Sequence, residues 1–208
     1  MLTGAPRATD AEECHGVRFA RLIGIRLRAA APRAEHDGAR RSSPAEERRV
    51  TVSLFLDKFA PEAWKDAQQF SNTVREFGQQ HGLEPQESEL IKVRASQLNG
   101  CVFCLDLHSR EARQEGVTQQ KLDLLPAWRE SSIYSEREVA VLAIAEAATL
   151  LPLSEDSRAD LAAARGLLGD EVFAAAEWVA AAINLFNRIS ILSEHPVRPR
   201  GADGKILR

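Results

Sequence analysis

The sequence predicts an all-α fold for the greater part of the chain. From about Val50 onward, apolar residues recur at spacings of three and four, the period of one face of an α-helix. Ser, Thr and Asp stand where helices would begin, and glycines such as Gly82 and Gly116 stand where they would end. No stretch alternates strictly between apolar and polar residues, and the sequence has neither a glycine-rich phosphate loop nor an internal repeat. Strands are therefore not expected.

The first three predicted helices lie on either side of a break at Asn99 and the glycine that follows it. A long amphipathic helix extends from about Phe55 to a glycine cap at Gly82. A second helix covers about residues 85–97. Asn99 is a candidate N-cap for the third helix, which covers about residues 101–115. The chain therefore turns just before its cysteine pair.

The second half of the chain contains further helix starts. Each is marked by a side-chain oxygen that can accept a hydrogen bond from the helix backbone, at Thr118, Ser135, Ser154 or Asp156, and Asp170. Ser135 forms a capping box with Glu138, and the helix that begins at Ser154 or Asp156 ends near Gly169. The last helix, 172–192, is apolar on nearly every side between Ala174 and Ile183, which indicates a central buried position or a subunit interface.

Length and composition predict one domain with appended segments. The chain has 208 residues and 44% apolar content, enough for one substantial core. We assign residues 51–196 to a helical domain, 1–50 to an extension and 197–208 to a loose tail. The net charge of −3 indicates no nucleic-acid surface, and no apolar run approaches the about eighteen residues that cross a bilayer. We expect a soluble protein without nucleic-acid or membrane partners.

The N-terminal extension differs from the rest in composition. It contains ten arginines, no lysine and seven acidic residues, with glycine, proline and serine interruptions and one short apolar patch, Val17–Leu27. Such a composition is typical of weakly ordered segments. Asp10, Glu12 and Glu13 do not suit a transit peptide, and no long apolar core indicates a secretory signal. We expect a dispensable extension, or a start codon assigned too far upstream, and Cys14 outside any site.

A cysteine pair followed by a histidine is the main chemical feature of the sequence. Cys101 and Cys104 are three residues apart and His108 follows four later, so on one helix they form a single stripe with Cβ atoms about 5–6 Å apart. This spacing allows a disulfide and a thiol–imidazole contact. A thiol near a helix start also has a lowered pKa, because the unpaired N–H groups there carry partial positive charge. We therefore expect a reactive dithiol.

Two other interpretations of the cysteines remain. Free cysteines are often buried and inert, although polar Asp106 and Ser109 nearby favour a reactive pair. A structural zinc site normally has four ligands in two pairs, and the sequence offers no second pair, since His81 and His195 stand alone. The spacing does not exclude a mixed metal site, but we favour it least; its ligands would be Glu89, Cys101, Cys104 and His108. We expect neither a metal nor a cofactor.

Two glutamates on predicted helices raise separate questions. Glu89 lies twelve residues before Cys101, so it reaches the thiols only if the second and third helices fold against each other. Glu146 lies on an otherwise apolar face, where a charge needs a partner such as Arg94 or Arg188. We predict a structural role for Glu146.

These residues carry a resemblance to a known family. The pattern E-x11-C-x2-C-x3-H, formed by Glu89, Cys101, Cys104 and His108, lies within the phrase RASQLNGCVFCLDLHSREAR. Two later segments, AWRESSIYSEREVAVLAIAEAATLL and AAINLFNRISI, resemble the following and last helices of the same family. Over about residues 53–193, the chain closely resembles the CxxC branch of the alkylhydroperoxidase AhpD/carboxymuconolactone decarboxylase family.

The resemblance implies an activity and roles for the four residues. It implies an all-α fold assembled as trimers or hexamers around shared helices, and a thiol peroxidase that reduces hydroperoxides to alcohols with a thioredoxin- or lipoyl-type dithiol as reductant. Cys104 would attack the peroxide and Cys101 would close the disulfide, with His108 and Glu89 as the proton relay. Phe103 stands where the best-known members have a further histidine between the cysteines.

Two alternative functions remain open. Decarboxylation of a lactone acid, as in the other branch of the family, has no use for a redox dithiol. A non-catalytic helical oligomer could instead use the disulfide as a redox sensor. The small number of cysteines fits a reducing compartment, so we expect the protein in the cytoplasm.

Overall fold

A computed structural model of the chain describes residues 54–201 and 204–207, and within them it is all-α, as predicted. The seven helices of this part are α1 (Leu56–Phe59), α2 (Pro61–Gln80), α3 (Pro85–Asn99), α4 (Val102–Gln114), α5 (Gln119–Leu124), α6 (Glu136–Thr149) and α7 (Glu155–Leu192). A 3-10 helix, Leu125–Glu130, connects α5 to α6. The described part has no strand, and contains one isolated bridge between Arg200 and Ile206. The predictions for residues 1–50, including Cys14, lie outside the described residues.

Local capping positions the helix starts. Thr118 accepts the N–H of Lys121 at the start of α5, and Ser154 does the same for Ser157 at the start of α7. Ser135 and Glu138 form the predicted capping box of α6. The break predicted near Gly169 also occurs, since this residue has φ 77° and ψ 164° within α7. Short-range sequence signals therefore located these helices well.

The prediction for Asn99 was wrong. Asn99 is the last residue of α3, and Gly100 ends that helix with a φ of 68°, a left-handed conformation that suits glycine. The N-cap of α4 is Cys101, whose sulfur accepts the N–H of Cys104 at 3.4 Å. The Asn99 side chain instead donates to Asn184 and Asn187 on α7, at 2.9 Å each. The Asn99 side chain therefore bonds to a distant helix instead of capping α4.

The main core lies where α6 crosses α7 and α3 packs against both. The predicted apolar part of the last helix is buried on one face; that face consists of Ala175, Ala176, Val179, Ala180, Ala182 and Ile183. Trp178, Leu185 and Leu192 on α7 remain exposed. The helix is therefore central to the core without being enclosed on every side. No helix among the described residues has the length and apolar character needed to cross a membrane.

Glu146 has the structural surroundings that the sequence predicted. Its Oε1 accepts from Arg94 at 2.9 and 2.6 Å and from the Trp128 indole at 2.8 Å, and its Oε2 accepts from Arg129. Burial alone would raise the pKa of Glu146, but the donors from Trp128 and the arginines outweigh it and lower the pKa. Arg188 bonds to Asn184 instead. Glu146 therefore joins α3, α6 and the 3-10 helix.

Candidate active site

The two cysteines lie at the start of α4, beneath α3 and α7. Cys101 is 1% exposed and Cys104 is 3% exposed, and both pack against Ala95 of α3 and Ile183 of α7. The Cys101 N–H donates to the Ser96 carbonyl at 3.0 Å, which closes the turn between α3 and α4. Both thiols are thus free and buried.

Polar groups nevertheless reach the buried sulfurs, and they come from α7. The Ser190 side chain lowers the pKa of both thiols through its polar hydroxyl, and the Asn187 amide does the same for Cys104. Asn187 is itself held by Ser96, to whose Oγ it donates at 3.0 Å. The sequence reasoning missed these residues, although polar residues at i and i+3 on an apolar helix face were a usable signal.

The environment pushes the pKa values of the two thiols apart. The hydrogen bond from Cys101 lowers the pKa of Cys104 to about 6; burial opposes this, while Ser190, Asn187 and the charge of His108 assist it. The hydrogen bond to Cys104 and burial both raise the pKa of Cys101. Cys104 is therefore the thiol of the pair that ionises more readily.

Glu89 reaches His108 because α3 and α4 fold back on each other through Gly100. The Nδ1 of His108 lies 3.1 Å from Oε2 of Glu89 and 3.0 Å from Oε2 of Glu111. The other oxygen of Glu89 accepts from Lys92 Nζ at 2.6 Å. The sequence reasoning missed Glu111, although its position three residues after His108 places both on one face of α4.

The carboxylates favour the charged form of His108 despite its burial. Burial alone would lower the pKa of His108, but hydrogen bonds to Glu111 and Glu89 outweigh it and raise the pKa. Burial likewise acts to raise the pKa of Glu89, whereas His108 and Lys92 lower it. Because Nδ1 faces the two carboxylates, Nε2 is the nitrogen available for proton transfer.

A cavity of about 230 Å³ opens beside His108. Its wall includes His108 and Glu111 from α4 and Ile183 from α7, the residue that also packs on the thiols. Arg75 and Lys92 also line it, together with apolar side chains of α2 and α7. The cavity therefore borders the histidine of the site, and its wall does not include either cysteine.

The mixed metal site is not assembled. In the part of the chain that the structure describes, the ligand atoms that come within 4.8 Å of one another belong to Glu89, His108 and Glu111, without either sulfur. The Lys92 ammonium already contacts Glu89 in this group. The arrangement therefore suits proton transfer better than cation binding.

His195, which stood alone in the sequence, is the second histidine near the thiols. Its Nε2 lies 3.2 Å from Oδ1 of Asp57, and its Nδ1 lies 3.3 Å from Oγ of Ser190. Neither the spacing nor the local sequence connects these residues, because Asp57 is 138 positions away along the chain. The structure thus surrounds the dithiol with two histidine–carboxylate pairs.

The fold and this site define a class of all-α proteins with a thiol pair beside a histidine and a glutamate. The model of the carboxymuconolactone decarboxylase family matches residues 61–147. The uncharacterized protein YdfG of Bacillus subtilis is 34% identical over 134 residues, which cover 64% of this chain and 88% of that protein. The chain therefore belongs to the AhpD/carboxymuconolactone decarboxylase family, and the resemblance found in the sequence is confirmed.

Two further proteins are similar to this chain. The uncharacterized protein YnjA of Escherichia coli is 34% identical over 74 residues, which cover 36% of this chain and 41% of that protein. A crystal structure of a protein of unknown function from Agrobacterium tumefaciens, for which a role as the antioxidant defence protein AhpD has been suggested, matches with a TM-score of 0.62 and 35% identity. The match covers 71% of this chain and all of that one.

Proposed function

We propose that this protein is a thiol-dependent peroxidase that reduces organic hydroperoxides to alcohols. The observation that carries the proposal is the placement of Cys101 and Cys104 on the first turn of α4, next to the pair formed by His108 and Glu89. This arrangement supplies a thiolate, a second thiol and a proton donor within one site. The antioxidant role suggested for the Agrobacterium tumefaciens protein supports the same activity.

In the first step, the Cys104 thiolate attacks the terminal oxygen of the hydroperoxide. The O–O bond breaks, Cys104 becomes a sulfenic acid, and the alkoxide takes a proton from the charged His108 to leave as the alcohol. Glu89 and Glu111 hold the imidazole and favour its charged form before the step. The cavity beside His108 would hold the organic part of the substrate.

In the second step, Cys101 closes the disulfide. Its sulfur attacks the Cys104 sulfenic sulfur, the S–O bond breaks, and hydroxide leaves with the Cys101 proton as water. A thioredoxin- or lipoyl-type dithiol then supplies two electrons and two protons that restore both thiols. Such a cycle requires a reducing compartment, so we place the protein in the cytoplasm.

We also infer a homo-oligomer, a trimer or hexamer in which subunits share helices. The exposed apolar residues of α7 and of the loop after α6 support this proposal; they are Leu150, Leu151, Trp178, Leu185 and Leu192. Exposed apolar surface of this kind is commonly covered by a partner. Light scattering of the purified protein should give a mass at least three times that of the chain, and a monomer would contradict the proposal.

Hydroperoxide turnover tests the proposed function directly. With cumene hydroperoxide and dihydrolipoamide, the wild type should consume peroxide, and Cys104→Ser should lose at least about a hundredfold in rate because the nucleophile is gone. Cys101→Ser should still react once, and its sulfenic acid should then accumulate. Mass mapping of peroxide-treated wild type should find the linkage of Cys101 to Cys104.

Two outcomes would contradict the peroxidase proposal. If the wild type were as inactive as Cys104→Ser but still formed the Cys101–Cys104 disulfide on treatment with peroxide, the protein would be a redox sensor. If the protein consumed a carboxymuconolactone after loss of both cysteines, it would be a decarboxylase.

A further inference from the structure

We propose that His195, held by Asp57, acts through Ser190 on Cys101 and receives the Cys101 proton when the disulfide forms. The inference rests on the proposed function, since it assigns a proton route to its second step. Under this proposal, His108 donates a proton when Cys104 reacts, and His195 receives a proton when Cys101 reacts.

The backbone after α7 brings His195 back onto its own helix. Glu194 has a φ of 49°, a left-handed conformation that is uncommon outside glycine. The turn lets the His195 N–H donate to the Ser190 carbonyl at 3.0 Å. The imidazole Nδ1 then lies 3.3 Å from Oγ of the same serine. Backbone and side chain of His195 therefore both contact Ser190.

Three side chains from two other elements fix the ring. Asp57 of α1 contacts Nε2 at 3.2 Å, Phe55 stacks on the ring with centroids 5.7 Å apart, and Phe103 of α4 meets it edge-on at 5.3 Å. The α1 segment is in turn anchored to the end of α7, because the Leu56 N–H donates to Oγ of Ser193 at 3.1 Å. An imidazole held this way has a defined orientation toward Ser190.

The Asp57 contact determines how protons are arranged on the ring. Asp57 contacts His195 directly, the charged Glu194 precedes it in the chain, and the Lys58 ammonium lies 4.4 Å from the centre of the Phe55 ring that stacks on it. With Nε2–H donating to the Asp57 carboxylate, a neutral His195 has its lone pair on Nδ1, facing Ser190.

Ser190 connects His195 to the sulfurs, because its single hydroxyl proton can be donated to only one of these neighbours at a time. It is buried, its Oγ lies 3.3 Å from Nδ1 of His195, and its hydroxyl lowers the pKa of both thiols. When its O–H donates to neutral His195, its oxygen can accept the S–H of Cys101. When His195 is charged, Nδ1–H donates to Ser190, and the hydroxyl is free to donate to the Cys104 thiolate. His195 is thus a positioning residue that sets the direction of the Ser190 hydroxyl.

The proposed transfer balances within the second step. As Cys101 attacks the sulfenic sulfur of Cys104, its proton passes to the Ser190 oxygen and the serine proton passes to Nδ1 of His195. The S–S bond forms, the S–O bond breaks, and the departing hydroxide takes the proton back from His195 to leave as water. No additional reactant is needed.

A quenched-flow experiment with one equivalent of cumene hydroperoxide separates the two steps in the full-length protein. In His195→Gln, the rate of Cys104 oxidation should stay within about twofold of wild type, whereas disulfide formation should slow by about tenfold or more. The sulfenic acid should then accumulate and react with dimedone. A general loss of packing around the thiols would slow both steps, so a selective loss of the second step distinguishes the proton route.

His81→Gln is the matched control. His81 is also partly buried, bonds through Nδ1 to the Phe77 carbonyl at 2.8 Å and stacks on Phe77, but contacts no residue of the thiol site. It should leave both rates unchanged. If His195→Gln formed the disulfide at the wild-type rate, the inference would be wrong.

Two further measurements keep the inference testable. If His195→Gln failed to fold, Asp57→Asn, which keeps an acceptor but removes the charge, should slow disulfide formation about threefold, and an unchanged rate would overturn the inference.

Methyl methanethiosulfonate tests the second step without peroxide. Cys104 attacks the reagent and takes its methylthio group, and methanesulfinate leaves. Cys101 then attacks the Cys104 sulfur of this mixed disulfide, and methanethiolate leaves. A slower second step in His195→Gln supports the proton route even if hydroperoxide turnover fails, and an equal rate opposes it.

Discussion

Glu89 and Glu146 have side chains with little exposure, 8% and 13%, but they differ in their hydrogen-bond partners. Each accepts hydrogen bonds from cationic side chains and each has a lowered pKa. The partners of Glu146 are two arginines and an indole, which do not give up a proton near neutral pH. One partner of Glu89 is His108, which does. The partner, and not the burial, separates a structural carboxylate from one that can support proton transfer.

The largest expected effect is on stability, in Glu146→Gln. This change leaves Arg94 buried opposite a neutral amide, which should lower the free energy of unfolding by about 3 kcal/mol or more. Urea unfolding measures the loss, and the exposed Glu130→Gln should change it by less than about 0.5 kcal/mol. The peroxidase rate of the folded fraction should stay within about twofold. A hundredfold slower but stable variant would contradict the structural role.

The same variant should change the response to acid. The lowered pKa of Glu146 means that its contribution to stability is complete above its ordinary value of 4.5 and is lost as the pH falls through the lowered value. Glu146→Gln should therefore lose stability less steeply than wild type over that range.

The second effect is on rate, in Glu89→Gln. We expect kcat/KM for hydroperoxide to fall by about a hundredfold, with a loss of unfolding free energy of only about 1 kcal/mol, because His108 can release its proton when the carboxylate is gone. The sign of the pH effect follows from the raised pKa of His108. Charged His108 persists at higher pH in wild type, so the alkaline limb of the pH–rate profile should move to lower pH in the variant. If the alkaline limb of the pH–rate profile did not move in the variant, Glu89 would not be part of the proton relay.

The smallest effect should come from Glu111→Gln. Its carboxylate contacts the same nitrogen of His108 as Glu89 does, at 3.0 Å, but its side chain is 40% exposed and water screens it. We expect kcat/KM to fall by about two- to threefold, with a smaller shift of the alkaline limb in the same direction. An effect as large as that of Glu89→Gln would make the two carboxylates equal partners.

Prediction from sequence succeeded where the physics is local. The capping residues Thr118 and Ser135 act on backbone groups three residues away, so their chemistry and spacing were enough. Glu146 was also interpretable, because a charge on an apolar face needs a partner, although the choice of Arg94 over Arg188 required the structure. The prediction of Asn99 as an N-cap was wrong for the opposite reason, because its side chain bonds to two asparagines of α7, which is distant in the sequence.

The amino-acid sequence alone determined the all-α class, most helix boundaries and the stripe of Cys101, Cys104 and His108, because helical periodicity and capping act within a few residues of one another. Packing determined the rest. Glu89 meets His108 after α3 and α4 fold together, and Asp57 meets His195 across 138 positions of chain. Such contacts depend on how helices pack, which no local pattern encodes, and they decide which histidines lie near the thiols.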